Sequence, residues 1–259
     1  MRELRNAFAG CALAVGALAV GAIWSPAFAA PVPALAFDDA EPAEAAEAAS
    51  ELVERFAAWL IASRDNQGLP FAIVDKIGAR VFVFDADGRP LGSAPVLIGS
   101  APGDHTAPGV GELALGSIAP EARTTAAGRF RATFGPAKGE VAEVLWLDYD
   151  TALSLHPVIS GNQKQRRLQR LASPTPLDNR ITYGCINVPA AFYEEVVRPA
   201  FAGAAAVVYV LPEERELEEV FADFRWNADA EPVDVAVAKR APDEPGEKAP
   251  SDLSRQLGF

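Results

Sequence analysis

Apolar positions along the chain follow two periods. Between Pro42 and Ser63, the residues Leu52, Phe56, Trp59, Leu60 and Ser63 recur at spacings of three and four after a stretch rich in Ala and Glu. That spacing predicts an amphipathic helix with Pro42 in its first turn. After Asn66-Gln67-Gly68 the period shortens, and Phe71 to Val74, Arg80 to Asp85, Leu91 to Ile98, Gly128 to Phe134, Glu143 to Tyr149 and Leu153 to His156 read as strands. Asp85-Ala86-Asp87-Gly88 is a hairpin turn signal, and short hairpins favour antiparallel pairing. Two stretches lack a period and read as long loops, Gly99 to Ala127 and Asn162 to Arg180. Pro189 to Arg198 reads as a helix, Ala204 to Val210 as a last buried strand and Glu213 to Trp226 as a short acidic helix.

The ends of the chain differ from this middle. Arg2 and Arg5 precede an uninterrupted run of apolar and small residues from Cys11 to Trp24, and Ala27-Phe28-Ala29 places small residues where a signal peptidase reads. Residues 1–29 are therefore expected to be an export signal, since the run closes well short of the roughly 20 apolar residues a membrane span needs. Residues 30–66 are expected to be a flexible start followed by the helix, 67–212 the main domain, 213–226 the acidic helix and 227–259 a disordered tail of Asp, Glu, Pro and Lys. Half of the 259 residues are hydrophobic, enough for a sizeable core. A net charge of -12 offers no electrostatic footing for nucleic acid or anionic lipid. No nucleic-acid partner and no stable membrane insertion after signal cleavage are expected.

Outside the leader the chain has one cysteine, Cys185. A lone thiol in an exported protein is a buried passenger, an intermolecular link or a nucleophile. To attack, it must be a thiolate, so a neighbour has to lower its pKa or take its proton. The chain has only two histidines. His156 ends an apolar strand run ahead of the loop that returns to Cys185, which makes it the better base, whereas His105 reads as a plain loop residue. Gly184, beside the cysteine, lets backbone approach a substrate and aim N–H groups at an oxyanion. Two histidines and one cysteine supply no paired metal-ligand spacing, so neither metal nor cofactor is expected.

The order His156, then Thr182-Tyr183-Gly184-Cys185-Ile186-Asn187, resembles the signature of L,D-transpeptidases with a YkuD-type catalytic domain. In that family a His and a variable loop lead to Ser or Thr, His, Gly, Cys, an apolar residue and Asn or Arg. Upstream, Val96-Leu97-Ile98-Gly99 and Thr124-Thr125-Ala126-Ala127-Gly128-Arg129-Phe130 look like the family's strand, glycine and Thr-Pro-x-Gly-x-Phe segment. The resemblance spans Phe71 to Leu211. It implies a fold that is mainly β with flanking helices, the YkuD-type L,D-transpeptidase catalytic-domain β-sandwich, and a location in the periplasm or cell envelope of a bacterium. It also implies a reaction in which the cysteine is acylated by the L-centre carbonyl of a peptidoglycan stem tetrapeptide, D-alanine leaves, and an amine of a second stem resolves the thioester.

On that match Cys185 is the nucleophile, His156 the base and the Pro157 carbonyl the holder of the imidazole. Thr182 takes the Ser or Thr position, and Asn187 closes the motif. Three departures stand out: Tyr183 replaces the family's His, Ala126 replaces its Pro, and the loop between His156 and Cys185 is longer than usual. That loop carries Lys164, Arg166, Arg167 and Arg170, candidates for gripping stem carboxylates, as is Arg180 unless it serves a salt bridge. Two other functions fit the same residues. With water as acceptor the thioester gives an L,D-carboxypeptidase or an amidase, and with Tyr183 as the mark of lost chemistry the domain is an inactive peptidoglycan-binding module.

Overall fold

The computed structural model describes residues 51–137, 143–160, 162–203 and 205–225, together with 232, 233 and 235. The expected signal segment, the flexible start and nearly all of the tail lie outside the described residues.

Among the described residues ten strands form the body: β1 (Phe71–Asp75), β2 (Arg80–Phe84), β3 (Pro90–Pro95), β4 (Ile98–Gly99), β5 (Gly128–Pro136), β6 (Glu143–Asp148), β7 (Leu153–Pro157), β8 (Arg180–Thr182), β9 (Ile186–Val188) and β10 (Ala206–Val210). Eight of them run in the order β3-β2-β1-β10-β5-β6-β7-β9, and β4 pairs with β8 apart from these. Strand β5 joins two halves of the large sheet. Its residues Gly128 to Ala132 pair with β10, and Thr133 to Pro136 pair with β6.

Alternation along the strands then builds a sandwich. Ala72, Val74, Val81, Val83, Val208 and Val210 from one half meet Leu145, Leu155, Ile186 and Val188 from the other in a single core. The mainly β fold with flanking helices expected from the chain is what the structure has. The alternate residues Phe71, Ile73, Phe82, Phe84, Val207 and Tyr209 face the opposite way into a second core. Helix α1 (Glu51–Ser63) covers that face through Val53, Phe56, Ala57 and Leu60. Phe56 anchors it, with ring centroids 5.7 Å from Tyr209 and 4.8 Å from Phe221. Burial on both faces explains why β1, β2 and β10 are apolar at nearly every position.

Four expectations are corrected. Pairing is mixed, because β1–β10, β7–β9 and β4–β8 are parallel. The run from Leu91 to Ile98 is two strands, since the chain leaves the sheet edge after Pro95, which has no N–H to donate, and Leu97 bridges to Asn187. The loop 162–180 contains the one-turn helix α2 (Arg167–Leu171) between two 3-10 turns. After the helical run of α3 (Ala190–Phe192), a π turn (Tyr193–Val197) and α4 (Arg198–Phe201), the acidic segment is, among the described residues, helical only over α5 (Leu217–Val220). Its start is prevented because the Asp104 carboxylate accepts the backbone N–H groups of Glu213, Glu214 and Arg215, fixing that turn before a helix begins. Among the described residues no helix is long and apolar enough to cross a membrane.

Candidate active site

The parallel register of β7 and β9 sets Leu155 beside Ile186 and His156 beside Asn187. Leu153, Leu155, Ile186 and Val188 point into the sandwich core. By alternation Ser154, His156 and Asn187 stand on the other face, and Cys185 directly precedes β9. Two short strands thus gather four polar side chains.

The turn into Cys185 is tied from inside and outside. Within it, the Thr182 hydroxyl donates to the Cys185 carbonyl at 2.7 Å and accepts the Gly184 N–H at 3.1 Å. From outside, the buried Thr125 hydroxyl donates to the Gly184 carbonyl at 2.7 Å and accepts the Gly99 N–H at 2.9 Å. Gly184 has φ +131°, and a Cβ there would lie 2.8 Å from the Thr124 carbonyl oxygen. Only glycine suits both the backbone and the gap.

Cys185 is partly exposed. Its sulfur lies 3.5 Å from Ser154 Oγ and 3.4 Å from the Ala152 carbonyl oxygen. Burial pushes the thiol pKa up, but the neighbouring His156 ring and hydrogen bonding with Ser154 outweigh it, so the thiol titrates below its ordinary range. The imidazole is held at both nitrogens. Nδ1 is 2.8 Å from the Pro157 carbonyl oxygen and Nε2 is 2.9 Å from Asn187 Nδ2. Asn187 Oδ1 in turn accepts from the Arg167 guanidinium at 2.6 Å. Burial pushes the Arg167 pKa down, and the nearby Tyr183 and Cys185 partly counter it.

Of the basic loop, Arg167 alone is joined to this cluster by a hydrogen bond among the described residues. Lys164 and Arg166 are exposed, and the Arg166 guanidinium donates to Gln169. Arg170 donates to the Gln165 and Asp178 carbonyls at 3.0 and 2.7 Å. Arg180 forms an ion pair with Glu213 and also reaches the Gly99 and Ala101 carbonyls. Tyr183 lies under the Arg123 guanidinium, 4.6 Å from its ring centroid, and walls a narrow crevice with Thr106, Thr124, Ala152 and Gly184. His105 is exposed, and its carbonyl accepts the Thr124 hydroxyl.

Several contributors escaped the sequence reading. Ser154 carries a legible signal, because it sits two residues before His156 and so shares its face of β7. Thr125 stands in the 124–130 segment of the resemblance, with no role read for it there, and the ion cluster behind it carries no signal. The Lys76 ammonium is fully buried, 2.6 Å from Asp104 Oδ1, 3.4 Å from Glu213 and 3.0 Å from the Thr125 carbonyl. Burial would raise the Asp104 pKa, but Lys76 and the three amides of the 213–215 turn hold its carboxyl down at about 2. Lys76 thereby grips the main chain of the residue whose hydroxyl grips Gly184.

No family model and no curated protein matches the chain. Solved structures do. One is the avibactam carbamoyl enzyme of Ldtfm, at 14% identity and a TM-score of 0.36 over 56% of this chain and 49% of that one. A cysteine-to-serine mutant of Enterococcus faecium L,D-transpeptidase matches at 16% identity and 0.30, over 55% and 49%. The catalytic domain of the E. faecium L,D-transpeptidase, solved by NMR, matches at 17% and 0.33, over 55% of this chain and 96% of that domain. The match spans about half the length of the first two chains. Overlaps of this size describe a coarse similarity of chain path and leave the chemistry of Cys185 to its own surroundings.

Proposed function

We propose that the protein is a cysteine-dependent acyltransferase of peptidoglycan stem peptides, an L,D-transpeptidase acting in the bacterial cell envelope. The observation that carries this reading is the grouping of the partly exposed Cys185 with Ser154, 3.5 Å from its sulfur, and with His156 and Asn187 across the β7–β9 pairing, on the turn of the Thr182-Tyr183-Gly184-Cys185-Ile186-Asn187 motif. The resemblance of that motif to the L,D-transpeptidase signature supplies the substrate class.

In the proposed cycle His156 takes the Cys185 proton, and Sγ attacks the carbonyl carbon of an L-configured stem residue. The carbon–nitrogen bond to the terminal D-amino acid then breaks, and the proton held by His156 goes to the departing amine. An amine of a second stem attacks the thioester, its proton passes through His156 to sulfur, and the carbon–sulfur bond breaks. Gly184 donates its N–H to Thr182, so the Tyr183 and Cys185 amides are the ones assigned to the oxyanion.

Purified muropeptides incubated with the protein and analysed by mass spectrometry test the assignment. Cross-linked dimers with loss of D-alanine are expected, and the Cys185→Ala variant should form none. Loss of D-alanine without dimers would make the enzyme an L,D-carboxypeptidase. Absence of any product from a protein whose Cys185 still alkylates rapidly would remove peptidoglycan as the substrate.

A further inference from the structure

The contact between Arg167 and Asn187 determines what the other end of that amide offers to His156. A guanidinium has only donors, so the Asn187 atom 2.6 Å from Arg167 has to be the oxygen. The amide nitrogen, also donor-only, then faces Nε2 at 2.9 Å, and Nε2 must present its lone pair. On the opposite edge the Pro157 carbonyl, an acceptor, lies 2.8 Å from Nδ1, which must carry the hydrogen. Two independent contacts therefore select one form of the ring, protonated on Nδ1 and basic at Nε2. That lone pair accepts the Asn187 N–H in the resting site and takes the thiol proton when the N–H gives way to it. Without the Arg167 contact, the Asn187 amide is free to turn its oxygen to Nε2 and favour an N–H there, which leaves no lone pair at all.

We propose that Arg167 is a positioning residue that acts through Asn187 to hold His156 in the Nδ1–H form with its lone pair at Nε2. The inference deepens the acyltransferase reading and rests on it for the use made of that lone pair. It also gives the enlarged loop a use: α2 begins at Arg167 and carries the guanidinium to β9.

Nitrogen NMR of protein labelled with 15N-histidine provides the test, since the chain has only two histidines and the exposed His105 serves as internal reference. At one fixed pH near neutrality, the wild type should show His156 with Nδ1 bonded to hydrogen and Nε2 in lone-pair form. Arg167→Met should move the Nε2 signal toward the N–H-bearing position and slow alkylation of Cys185 by iodoacetamide roughly tenfold or more. Arg167→Lys, which keeps a donor for Oδ1, should restore most of both. Asn187→Asp, acceptor-only toward the ring, should place hydrogen on Nε2. A wild-type ring carrying its hydrogen on Nε2 overturns the proposal without any variant. So does an Arg167→Met protein that is folded by its amide spectrum and has an unchanged His156 signal. Because neither readout uses peptidoglycan, a ring that behaves as proposed in a protein inactive on muropeptides would leave the positioning role standing and sink the substrate assignment.

Discussion

Replacing Gly184 by alanine tests whether the site depends on the tight turn before Cys185. At φ +131° an L-residue is strained, costing about 1–3 kcal/mol. The added Cβ would also sit 2.8 Å from the Thr124 carbonyl oxygen, well inside contact distance. That oxygen cannot retreat freely. The next residue, Thr125, is pinned through its hydroxyl to Gly184 and Gly99 and through its carbonyl to buried Lys76. Overpacking against a fixed neighbour adds about 1–3 kcal/mol. At roughly 2–4 °C per kcal/mol for a domain of this size, the combined cost should lower the melting temperature by roughly 4–24 °C. The turn is displaced where it carries Cys185, so alkylation of that thiol should slow more than tenfold even well below melting. Thermal melting followed by circular dichroism and timed alkylation with mass detection measure the two effects. Gly116→Ala is the control, because nothing lies within 4 Å of its added Cβ. A Gly184→Ala protein with wild-type melting and alkylation would refute the account of the turn.

Other outcomes follow from the same geometry. His156→Ala should lower turnover by roughly 100-fold or more, whereas His105→Ala should be near neutral, measured as muropeptide conversion by folded proteins. In His156→Ala, burial of the sulfur loses its main opponent, so the pH at which Cys185 becomes alkylated should move upward from the wild-type position; an unmoved profile would remove His156 from the site. The Asp104 carboxyl is depressed to about 2, so it contributes stability that is complete above its ordinary value and is lost as the pH falls from about 4 through 2. Asp104→Asn should erase that acid dependence and cost about 3–5 kcal/mol in urea unfolding, because Lys76 is left as a buried charge without its main partner. Neutralising Lys164, Arg166 and Arg170 while keeping Arg167 should raise KM and its salt sensitivity with kcat retained, and no change in KM would mark those three as a solvated face.

The parts legible in the chain are those where one local pattern decides the outcome. Strands β1, β2 and β10 are continuous apolar runs because both of their faces are buried, and the turn 85–88 announces its hairpin. Cys185, His156 and Asn187 were recognisable as types in an order, which a parallel pairing of β7 and β9 converts into neighbours. The pairing itself was not legible, since the hydrophobic period of a strand is the same in either direction. Nor was the shortened acidic helix, whose start is set by a carboxylate more than a hundred residues upstream. Lys76 follows a strand and reads as a solvent-facing turn residue, yet it is fully buried. Its burial depends on Asp104 and Glu213 arriving from two distant segments. Arg167 was one of four basic residues of equal standing, and only the path of α2 singles it out.

The tie between Thr125 and Gly184 has a kinetic corollary. The Cys185 turn is stapled to a segment 59 residues away, and that segment is clamped by Lys76 a further 49 residues upstream. The strand before Lys76 pairs with β10 from the other end of the domain, Phe71 beside Val207. Such contacts close large loops and form late, after local hairpins. Final placement of the Cys185 turn is therefore expected late in folding, and rapid alkylation during refolding should begin only when the most distant strands have met.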